Sequence, residues 1–490
     1  MSTREEYDIV AIGSGPAGQK AAICGAKAGK RVLVVEQELG VGGACVRHGT
    51  IPSKTLRETA LALSSFRRKS ANALTVEAPQ HQLVHALMSR VDHVVSAHER
   101  FMARQLARNG VIVERGRARL LSPTAVTIRT QRGAVREVEA KTIVLATGSR
   151  PRTPPEVAVD HEHVLDSDSI LSMRYLPKTL AVLGSGVIAC EYASIFSELG
   201  VAVTLVDKAA YPLGFLDPEL VQPFVAGLVN GGGRFVSGRC ARAVEFDGVD
   251  TVRLELDDGS TMEAEKVLCA LGRVANVEGL GLEAAGVTLG ARGFIEVDEH
   301  CRTAAPTVYA VGDVIGPPAL AASAMEQGRR AVRHALGLST QPWTELIPSG
   351  VYCIPEMASI GLTEARAREL QGRVVVGRAH FSEIARGQIA AIDNGLLKLV
   401  ATHDGRRILG VHIVGEGASE LLGIGQIAMQ VGWSAEQFVE TIFNFPTLAE
   451  AYRVAALDIL SQLGRRERGR VTTLPPAPRP AERGSQAPAS

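Results

Sequence analysis

The sequence predicts an α/β protein with two Rossmann-like dinucleotide-binding domains, the first interrupted by the second, and a C-terminal α+β domain. A glycine-rich turn between a strand and a helix occurs twice, and a strand ending in an acidic residue follows each helix. Together these two observations predict the two Rossmann-like domains. Alternating apolar patterns at residues 396–401 and 408–414, followed by helical patterns, predict the third domain.

The first glycine-rich turn is Gly-Ser-Gly-Pro-Ala-Gly at residues 13–18. It lies between a strand at residues 7–12 and a helix that ends at Gly29, and the next strand, at residues 32–35, runs into Glu36. In such a unit the first glycine makes the tight turn, the second lets a pyrophosphate approach the backbone, and the third packs helix against strand. The helix N-terminus binds the phosphates and the acid binds ribose hydroxyls. The residues predicted for these roles are Gly13, Gly15, Gly18 and Glu36.

The second turn repeats the first in its spacing. Sixteen positions separate the first glycine from the glycine that ends the helix in both copies, and 23 positions separate it from the acid. The third glycine is replaced here by alanine, which is still small enough for close packing. We therefore predict two bound dinucleotides, with the second held by Gly184, Gly186, Ala189 and Asp207.

Composition limits the other functions that the chain can have. The chain has 490 residues, enough for about three domains, and a formal net charge of +1, which favours neither nucleic acid nor an anionic membrane as a partner. There is no apolar run near ~18 residues and no signal-like start, so we expect a cytoplasmic protein. Seven scattered cysteines argue against a disulfide framework and a zinc site, and we predict no bound metal.

Residues 42–54 read Gly-Gly-Ala-Cys-Val-Arg-His-Gly-Thr-Ile-Pro-Ser-Lys. This segment resembles the redox-active segment of the flavin-dependent disulfide reductases, in which two cysteines separated by four residues form a disulfide beside the flavin. Cys45 matches the first cysteine, but Thr50 stands at the second position. Since a threonine hydroxyl cannot form a disulfide, we expect the scaffold of this family without its dithiol chemistry. Pro52 is predicted to begin a helix that carries Lys54 in its first turn.

Three further segments carry the same resemblance. Residues 303–313, ending in Gly-Asp, resemble the second flavin-binding motif, whose aspartate binds a ribitol hydroxyl of FAD. Residues 144–150 resemble the exit from the FAD domain, and residues 271–273 resemble a motif that lines the nicotinamide site. The resemblance implies FAD at the first fingerprint and a nicotinamide nucleotide at the second. The residues expected to contact FAD are Gly13, Gly15, Gly18, Glu36, Gly42, Gly43, Cys45, Thr50, Lys54, Thr147, Gly148, Gly312 and Asp313, and those expected to contact NAD(P)(H) are Gly184, Gly186, Ala189, Glu191, Asp207, Lys208, Gly272 and Arg273.

The resemblance also implies the order of the domains and a homodimer or higher homo-oligomer. In the family the C-terminal domain forms the dimer interface. The expected segments are an FAD domain at 1–150 and 277–344, an NAD(P) domain at 151–276, a dimerisation domain at 345–464 and a disordered tail at 465–490.

The C-terminal domain lacks a second catalytic group of the family. In the disulfide reductases it donates a histidine–glutamate pair, whose histidine shuttles the thiol proton. Phe445 stands at the histidine position, whereas Glu450 is retained. The combined loss of the second thiol and the histidine resembles one subfamily, the soluble pyridine nucleotide transhydrogenases, across residues 7 to about 462. That resemblance implies hydride transfer from NADPH to NAD⁺ through FAD, by ping-pong use of one nicotinamide site, with Lys54 and Glu191 paired near the flavin.

Three alternatives stay open at this stage. The first alternative is an NAD(P)H oxidase or diaphorase that uses oxygen or a quinone, with Cys45 cycling through a sulfenic acid. The second is a dihydrolipoamide-type dehydrogenase whose second thiol lies elsewhere in the chain. The third is a non-catalytic flavoprotein that senses nucleotides. Nucleotide preference is also open, because Asp207 favours a free 2′-hydroxyl and Lys208 partly offsets its repulsion of a 2′-phosphate. We expect both nucleotides to bind, NADP(H) more weakly.

Overall fold

The computed structural model describes residues 5–69 and 80–471, which fall into two compact units that divide between Ala358 and Ser359. The predicted FAD and NAD(P) segments both belong to the first unit. The expected start of the last domain, residue 345, precedes this division. Within the two described ranges, no helix is long and apolar enough to cross a membrane.

The first unit contains seven α-helices and seventeen strands within the described residues. They are, in chain order, β1 (Glu5–Ile12), α1 (Pro16–Lys27), β2 (Val32–Glu36), α2 (Gly43–Arg47), α3 (Thr50–Lys69), α4 (Gln80–Arg108), β3 (Ile112–Ser122), β4 (Ala125–Thr130), β5 (Val135–Leu145), β6 (Ser149–Pro151), β7 (Val164–Asp166), β8 (Thr179–Leu183), α5 (Val187–Glu198), β9 (Ala202–Asp207), α6 (Pro218–Asn230), β10 (Arg234–Ser237), β11 (Ala241–Phe246), β12 (Val252–Leu256), β13 (Thr261–Ala264), β14 (Lys266–Cys269), β15 (Arg273–Ala275), β16 (Val308–Ala310), α7 (Ala321–Ala335) and β17 (Ser349–Val351).

The first fingerprint belongs to a mainly parallel sheet. Strands β3, β2, β1, β5 and β16 run parallel, and the outer parts of β3 and β5 continue into antiparallel pairing with β4. Both faces are buried, since Ile9 and Ala11 pack in one core cluster and Val10 and Ile12 in another. Burial on both faces explains why these strands are continuously apolar. The loops after β1, β2, β5 and β16 therefore meet at one edge of the sheet.

The second fingerprint belongs to a separate parallel sheet in the order β10-β9-β8-β14-β7. This order is that of a Rossmann-type sheet, in which ligands bind beyond the carboxyl ends of the strands. The antiparallel strands β11, β12 and β13 contribute Val244, Val252 and Leu254 to a core cluster that also contains Ala181 and Leu183. The predicted strand, helix and strand of the second fingerprint are therefore present as β8, α5 and β9.

The two chain crossovers between these sheets pair with each other. Strands β6 and β15 are antiparallel, with Ser149 opposite Ala275. The Thr147 hydroxyl donates to the Asn276 carbonyl (2.8 Å), and the Asn276 side-chain amide donates back to the Thr147 carbonyl (2.9 Å). The exit and the return of the chain thus form one hydrogen-bonded junction.

The second unit is an α+β structure. Its strands β19, β20 and β21 form an antiparallel sheet, and α12 packs so closely on β19 that a Cβ at Gly377 would collide with the Ala455 carbonyl. Helix α12 runs through Val471, so the prediction of a disordered tail from 465 was wrong for residues 465–471; the rest of that tail lies outside the described residues. The elements are β18 (Met357–Gly361), which crosses the division, α8 (Glu364–Gln371), β19 (Val374–His380), α9 (Ala385–Ala390), β20 (Leu396–Thr402), β21 (Ile408–Val414), α10 (Ala418–Gln430), α11 (Ala435–Glu440) and α12 (Glu450–Val471).

Candidate active site

The first fingerprint makes the tight turn that its glycines predict. Gly13 has φ +103°, and a Cβ there would fall inside contact distance of the Ala146 carbonyl oxygen. A Cβ at Gly18 would collide in the same way with the carbonyl of Gly13. Helix α1 begins directly after Gly15 with an uncharged first turn, Pro-Ala-Gly-Gln. The N–H groups of a first helical turn lack intrahelical acceptors, and together with the partial positive charge of the helix N-terminus they suit a phosphate.

Ser14 connects this turn to the acid at the end of β2, a role that the sequence reasoning missed. Its N–H and hydroxyl both donate to Glu36 Oε2, at 2.9 and 2.6 Å, and its hydroxyl accepts from the Gly42 N–H at 3.1 Å. A Cβ at Gly43 would lie 2.9 Å from the Gly15 Cα. The fingerprint, the buried carboxylate and the Gly-Gly pair are therefore brought together. The only local signal for this role was a hydroxyl inside the fingerprint.

The second flavin motif ends at the same edge of the sheet. Asp313 Oδ2 accepts a hydrogen bond from the Ser149 hydroxyl (2.8 Å), and the Gly312 N–H donates to Gln327 Oε1 (2.8 Å). Arg273 donates from Nε to the Ser149 hydroxyl (2.8 Å) and from Nη2 to the Ser149 carbonyl (2.7 Å). Arg273, expected at the nicotinamide site, thus holds the serine that orients Asp313. Neither Ser149 nor Gln327 was identified from the sequence.

This edge fits FAD. The ends of β1, β2, β5 and β16 present a glycine cradle that a Cβ would fill, an uncharged helix N-terminus for the pyrophosphate, and the carboxylates of Glu36 and Asp313 as acceptors for hydroxyl groups. Thr147 lies at the same edge with its hydroxyl engaged in the crossover junction, and Gly148 follows it with φ +70°.

Cys45 lies on α2 and faces Thr50, the first residue of α3. Burial raises the pKa of the Cys45 thiol and outweighs the opposing effects of the Thr50 side chain and the Lys54 charge. The prediction that Pro52 begins the helix was wrong, because α3 begins two residues earlier, at Thr50. Proline is accommodated in a first turn, since the N–H groups there have no intrahelical acceptor.

Lys54 and Glu191 form a largely buried ion pair. Lys54 Nζ lies 2.6 Å from Glu191 Oε2, and the two side chains are 25% and 6% exposed. The backbone N–H of Tyr352 donates to Glu191 Oε1 (2.9 Å), and the Tyr352 ring lies 4.9 Å from the Lys54 ammonium. Both carboxylate oxygens are thus engaged, which fixes the ammonium in place. The sequence predicted the pair but missed Tyr352.

The second fingerprint repeats the geometry of the first. Gly184 has φ +108°, and a Cβ there would lie 2.6 Å from the Ala270 carbonyl oxygen. At Gly186 a Cβ would meet open space within the described part of the chain, whereas Ala189 is fully buried. Asp207 ends β9, and its Oδ1 accepts from the Ala209 N–H (2.6 Å).

The remaining predicted residues lie near this fingerprint. Lys208 is exposed. Gly272 has φ +101°, and its carbonyl accepts a hydrogen bond from the Arg152 N–H (3.0 Å). The structure therefore places Gly184, Gly186, Asp207, Lys208 and Gly272 at the carboxyl ends of β8, β9 and β14 and Ala189 and Glu191 on α5. The Glu191 and Arg273 side chains contact Lys54 and Ser149 instead.

In the second unit, Phe445 is 68% exposed, and Glu450 is the first residue of α12. The neighbouring Tyr452 is fully buried; its hydroxyl donates to the Leu421 carbonyl (2.9 Å) and accepts from the Gly425 N–H (3.1 Å). The retained Glu-Ala-Tyr segment therefore anchors α12 to α10.

Two family models match the chain. The model for the pyridine nucleotide-disulphide oxidoreductases covers residues 7–328, and the model for the dimerisation domain of the same proteins covers residues 347–456. Curated relatives include a soluble pyridine nucleotide transhydrogenase of Mycobacterium bovis, 42% identical over 94% of this chain and 98% of the relative. Another soluble pyridine nucleotide transhydrogenase, from Pseudomonas putida, is 41% identical over 93% of this chain and 99% of the relative.

Solved structures agree with this grouping. LpdA from Mycobacterium tuberculosis has a TM-score of 0.86 at 29% identity, covering 92% of this chain and 99% of LpdA. The HOCl-induced flavoprotein disulfide reductase RclA from Escherichia coli has a TM-score of 0.83 at 25% identity, with the same coverage. Together with the two fingerprints and the FAD-shaped edge, these similarities show that the chain belongs to the FAD-dependent pyridine nucleotide-disulphide oxidoreductase family.

Proposed function

We propose that the chain transfers a hydride from NADPH to NAD⁺ at a single nicotinamide site, with FAD and without a redox-active disulfide. The observation that carries this proposal is the presence of Thr50 in place of a second cysteine, together with an intact Lys54–Glu191 ion pair. The names of the transhydrogenase relatives support the same activity. FAD, when bound, supplies a group that accepts a hydride from one nicotinamide and returns it to another.

The protein residues bind and position the two nucleotides. We assign the pyrophosphate of FAD to the N-terminus of α1 and that of the nicotinamide nucleotide to the N-terminus of α5. Glu36 and Asp207 would accept hydrogen bonds from ribose hydroxyls. Hydride moves as one unit from C4 of NADPH to C4 of NAD⁺ in net terms, so the reaction consumes no proton and needs no acid or base. This balance is consistent with Phe445 at the family's histidine position.

The Lys54–Glu191 pair is proposed to support the flavin. A carboxylate and an aromatic face hold the Lys54 ammonium, and a fixed cation stabilises negative charge that develops during hydride transfer. Since Glu191 is held by the Tyr352 backbone as well, the ammonium is preorganised.

The state of Cys45 argues against a sulfenic acid cycle. Such a cycle requires the thiolate as the nucleophile, and burial raises the pKa of this thiol, so the thiol form dominates at neutral pH. All seven cysteines are free, and none of them replaces the second thiol of the family pair in the local sequence.

The decisive experiment measures NADPH-driven reduction of an NAD⁺ analogue by purified, FAD-loaded protein without oxygen. We expect ping-pong kinetics and full retention of transfer in a Cys45→Ser variant. Rapid oxygen consumption without nucleotide transfer would support an oxidase instead, and the absence of both would support a nucleotide sensor. Loss of transfer in Cys45→Ser with FAD still bound would contradict the proposed mechanism.

The assembly and location of the enzyme are also proposals. We propose a homodimer formed through the domain that matches the dimerisation model, and a cytoplasmic location.

A further inference from the structure

The fingerprint acid poses a problem for NADP(H). Asp207 stands where a ribose 2′-hydroxyl would bind, and its carboxylate would repel a 2′-phosphate. The residues that follow it are Lys-Ala-Ala-Tyr-Pro, so its own loop supplies only one cation, Lys208. An enzyme that uses both nucleotides needs a further cation near this position.

The structure brings an arginine to this position from the neighbouring strand. Strand β10 lies parallel to β9, with Ser237 opposite Asp207, and the backbone N–H of Arg239 donates to the Asp207 carbonyl (3.1 Å). Arg239 therefore leaves the sheet beside the fingerprint acid, at the edge where ligands bind. Because 32 positions separate Arg239 from Asp207 in the sequence, no local motif predicts that the two residues lie close together.

The guanidinium group of Arg239 is held by a replaceable partner. Its Nε lies 2.6 Å from Asp258 Oδ2, in a pair whose side chains are 43% and 35% exposed. Its Nη1 also donates to the Gly238 carbonyl (3.2 Å). Exchange of such an exposed pair for another anion costs little, because exposed ion pairs contribute little to stability. Arginine also suits phosphate, since its planar group offers several donors.

Lys208 and the acids complete this cluster. Burial and Asp257, which accepts a hydrogen bond from the Cys240 thiol (3.4 Å), raise the pKa of that thiol, and the positive charge of Lys208 opposes them. Hydrogen bonds from Ser260 and the charge of Arg239 hold the pKa of Asp258 below its usual range, so Asp258 is ionised at neutral pH. Two cations thus lie beside Asp207, Lys208 next to it in the sequence and Arg239 after the neighbouring strand, and the ionised Asp258 holds Arg239.

We propose that Arg239 sets the choice between NAD(H) and NADP(H) by exchanging Asp258 for the 2′-phosphate, with Lys208 as the second cation. When NAD(H) binds, only Asp207 contacts its ribose hydroxyls, and the Arg239–Asp258 pair stays intact. Asp258 therefore acts as a built-in competitor that lowers the affinity for NADP(H). This inference rests on the proposed use of both nucleotides by one site.

The test measures binding of 2′,5′-ADP and of 5′-ADP to the FAD-loaded full chain by calorimetry. We expect Arg239→Gln to weaken 2′,5′-ADP by about tenfold or more and to leave 5′-ADP nearly unchanged. Asp258→Asn should act in the opposite direction, tightening 2′,5′-ADP roughly threefold, because it removes the competing carboxylate. Arg234→Gln, at the amino end of the same strand, is the matched control and should change neither affinity.

Equal effects of Arg239→Gln on both ligands would overturn the assignment of Arg239. If Asp258→Asn leaves the ratio of the 2′,5′-ADP and 5′-ADP affinities unchanged, the proposed exchange of Asp258 for the 2′-phosphate is wrong. This result is decisive even if Arg239→Gln folds poorly. These readouts need no turnover, so they separate this inference from the proposed function. Selective loss of 2′,5′-ADP in a protein without transhydrogenase activity would support the inference and contradict only the function.

Discussion

Thr50 and Lys54 lie one turn apart on α3, and together they show which part of the site has changed. Thr50 stands where the family has its second sulfur, whereas Lys54 keeps the ion pair with Glu191. The helix thus retains its cation without the second thiol. A buried ion pair contributes little net stability. A chain that had lost its activity and kept only its fold would therefore not need this pair. Its retention is consistent with a working flavin site.

The Lys54–Glu191 pair is tested by removing each charge separately. Lys54→Met and Glu191→Gln should each slow flavin reduction by NADH by about tenfold or more while FAD stays bound, because the fixed cation is lost or loses its anchor. Each change should also lower the free energy of unfolding by roughly 1–3 kcal/mol, since one buried partner is left alone. Stopped-flow absorbance and thermal unfolding measure the two effects.

A surface ion pair provides the control for this experiment. Lys141 lies 2.8 Å from Asp8, but its side chain is 77% exposed. Lys141→Met should leave both the flavin reduction rate and the stability nearly unchanged. If Lys54→Met reduced stability but left flavin reduction at the wild-type rate, the pair would be purely structural and its proposed role would be wrong.

At the level of elements, the two fingerprints are the same turn, and we assign them to different ligands. Gly13 and Gly184 share a positive φ, and each lies against the carbonyl of a neighbouring strand end, Ala146 or Ala270. A side chain at either position therefore meets two penalties, backbone strain and a collision with backbone atoms. The function of each turn can be separated by changing one glycine at a time.

Gly13→Ala should lower the FAD content of the purified protein severely, whereas Gly184→Ala should keep FAD and weaken nucleotide binding. The absorbance spectrum reports the flavin, and flavin reduction at increasing NADH reports the nucleotide site. Gly29→Ala is the matched control: Gly29 has φ +74°, but a Cβ there would meet open space in the described part of the chain. It should cost only about 1 kcal/mol of stability. FAD loss in Gly184→Ala would contradict the assignment of the two sites.

The sequence predicted the strands and helix of each fingerprint because the whole pattern lies within one short stretch of the chain. A strand, a glycine turn, a helix and a second strand with a terminal acid lie within 32 consecutive residues in the first copy and 29 in the second, so β1, α1 and β2, and likewise β8, α5 and β9, could be predicted. The contacts of Ser149, Gln327 and Tyr352 could not, because their partners are 15 to 164 positions away and carry no pattern of their own. The start of α3 was misplaced because proline fits several positions of a first turn equally well.

At the level of the whole molecule, the second unit contains unusually exposed apolar side chains. Ile427 on α10 and Val431 directly after it are 65% and 64% exposed, and Ile442 and Phe445 are 94% and 68% exposed. All four lie within the residues that match the dimerisation model. Large exposed apolar groups of this kind indicate an interaction surface, and a second copy of the chain is the partner that the family match favours.

The dimer is tested with the double variant Ile427→Glu/Val431→Glu. Two carboxylates, spaced four residues apart and therefore on one face, should weaken self-association by roughly tenfold or more per residue, because a charge buried at an interface lacks a partner. Sedimentation velocity should show a shift from dimer to monomer at micromolar concentration. Val229→Glu is the control, since Val229 is 55% exposed on α6 of the first unit. A dimer that survives the double variant but dissociates in Val229→Glu would place the interface in the first unit.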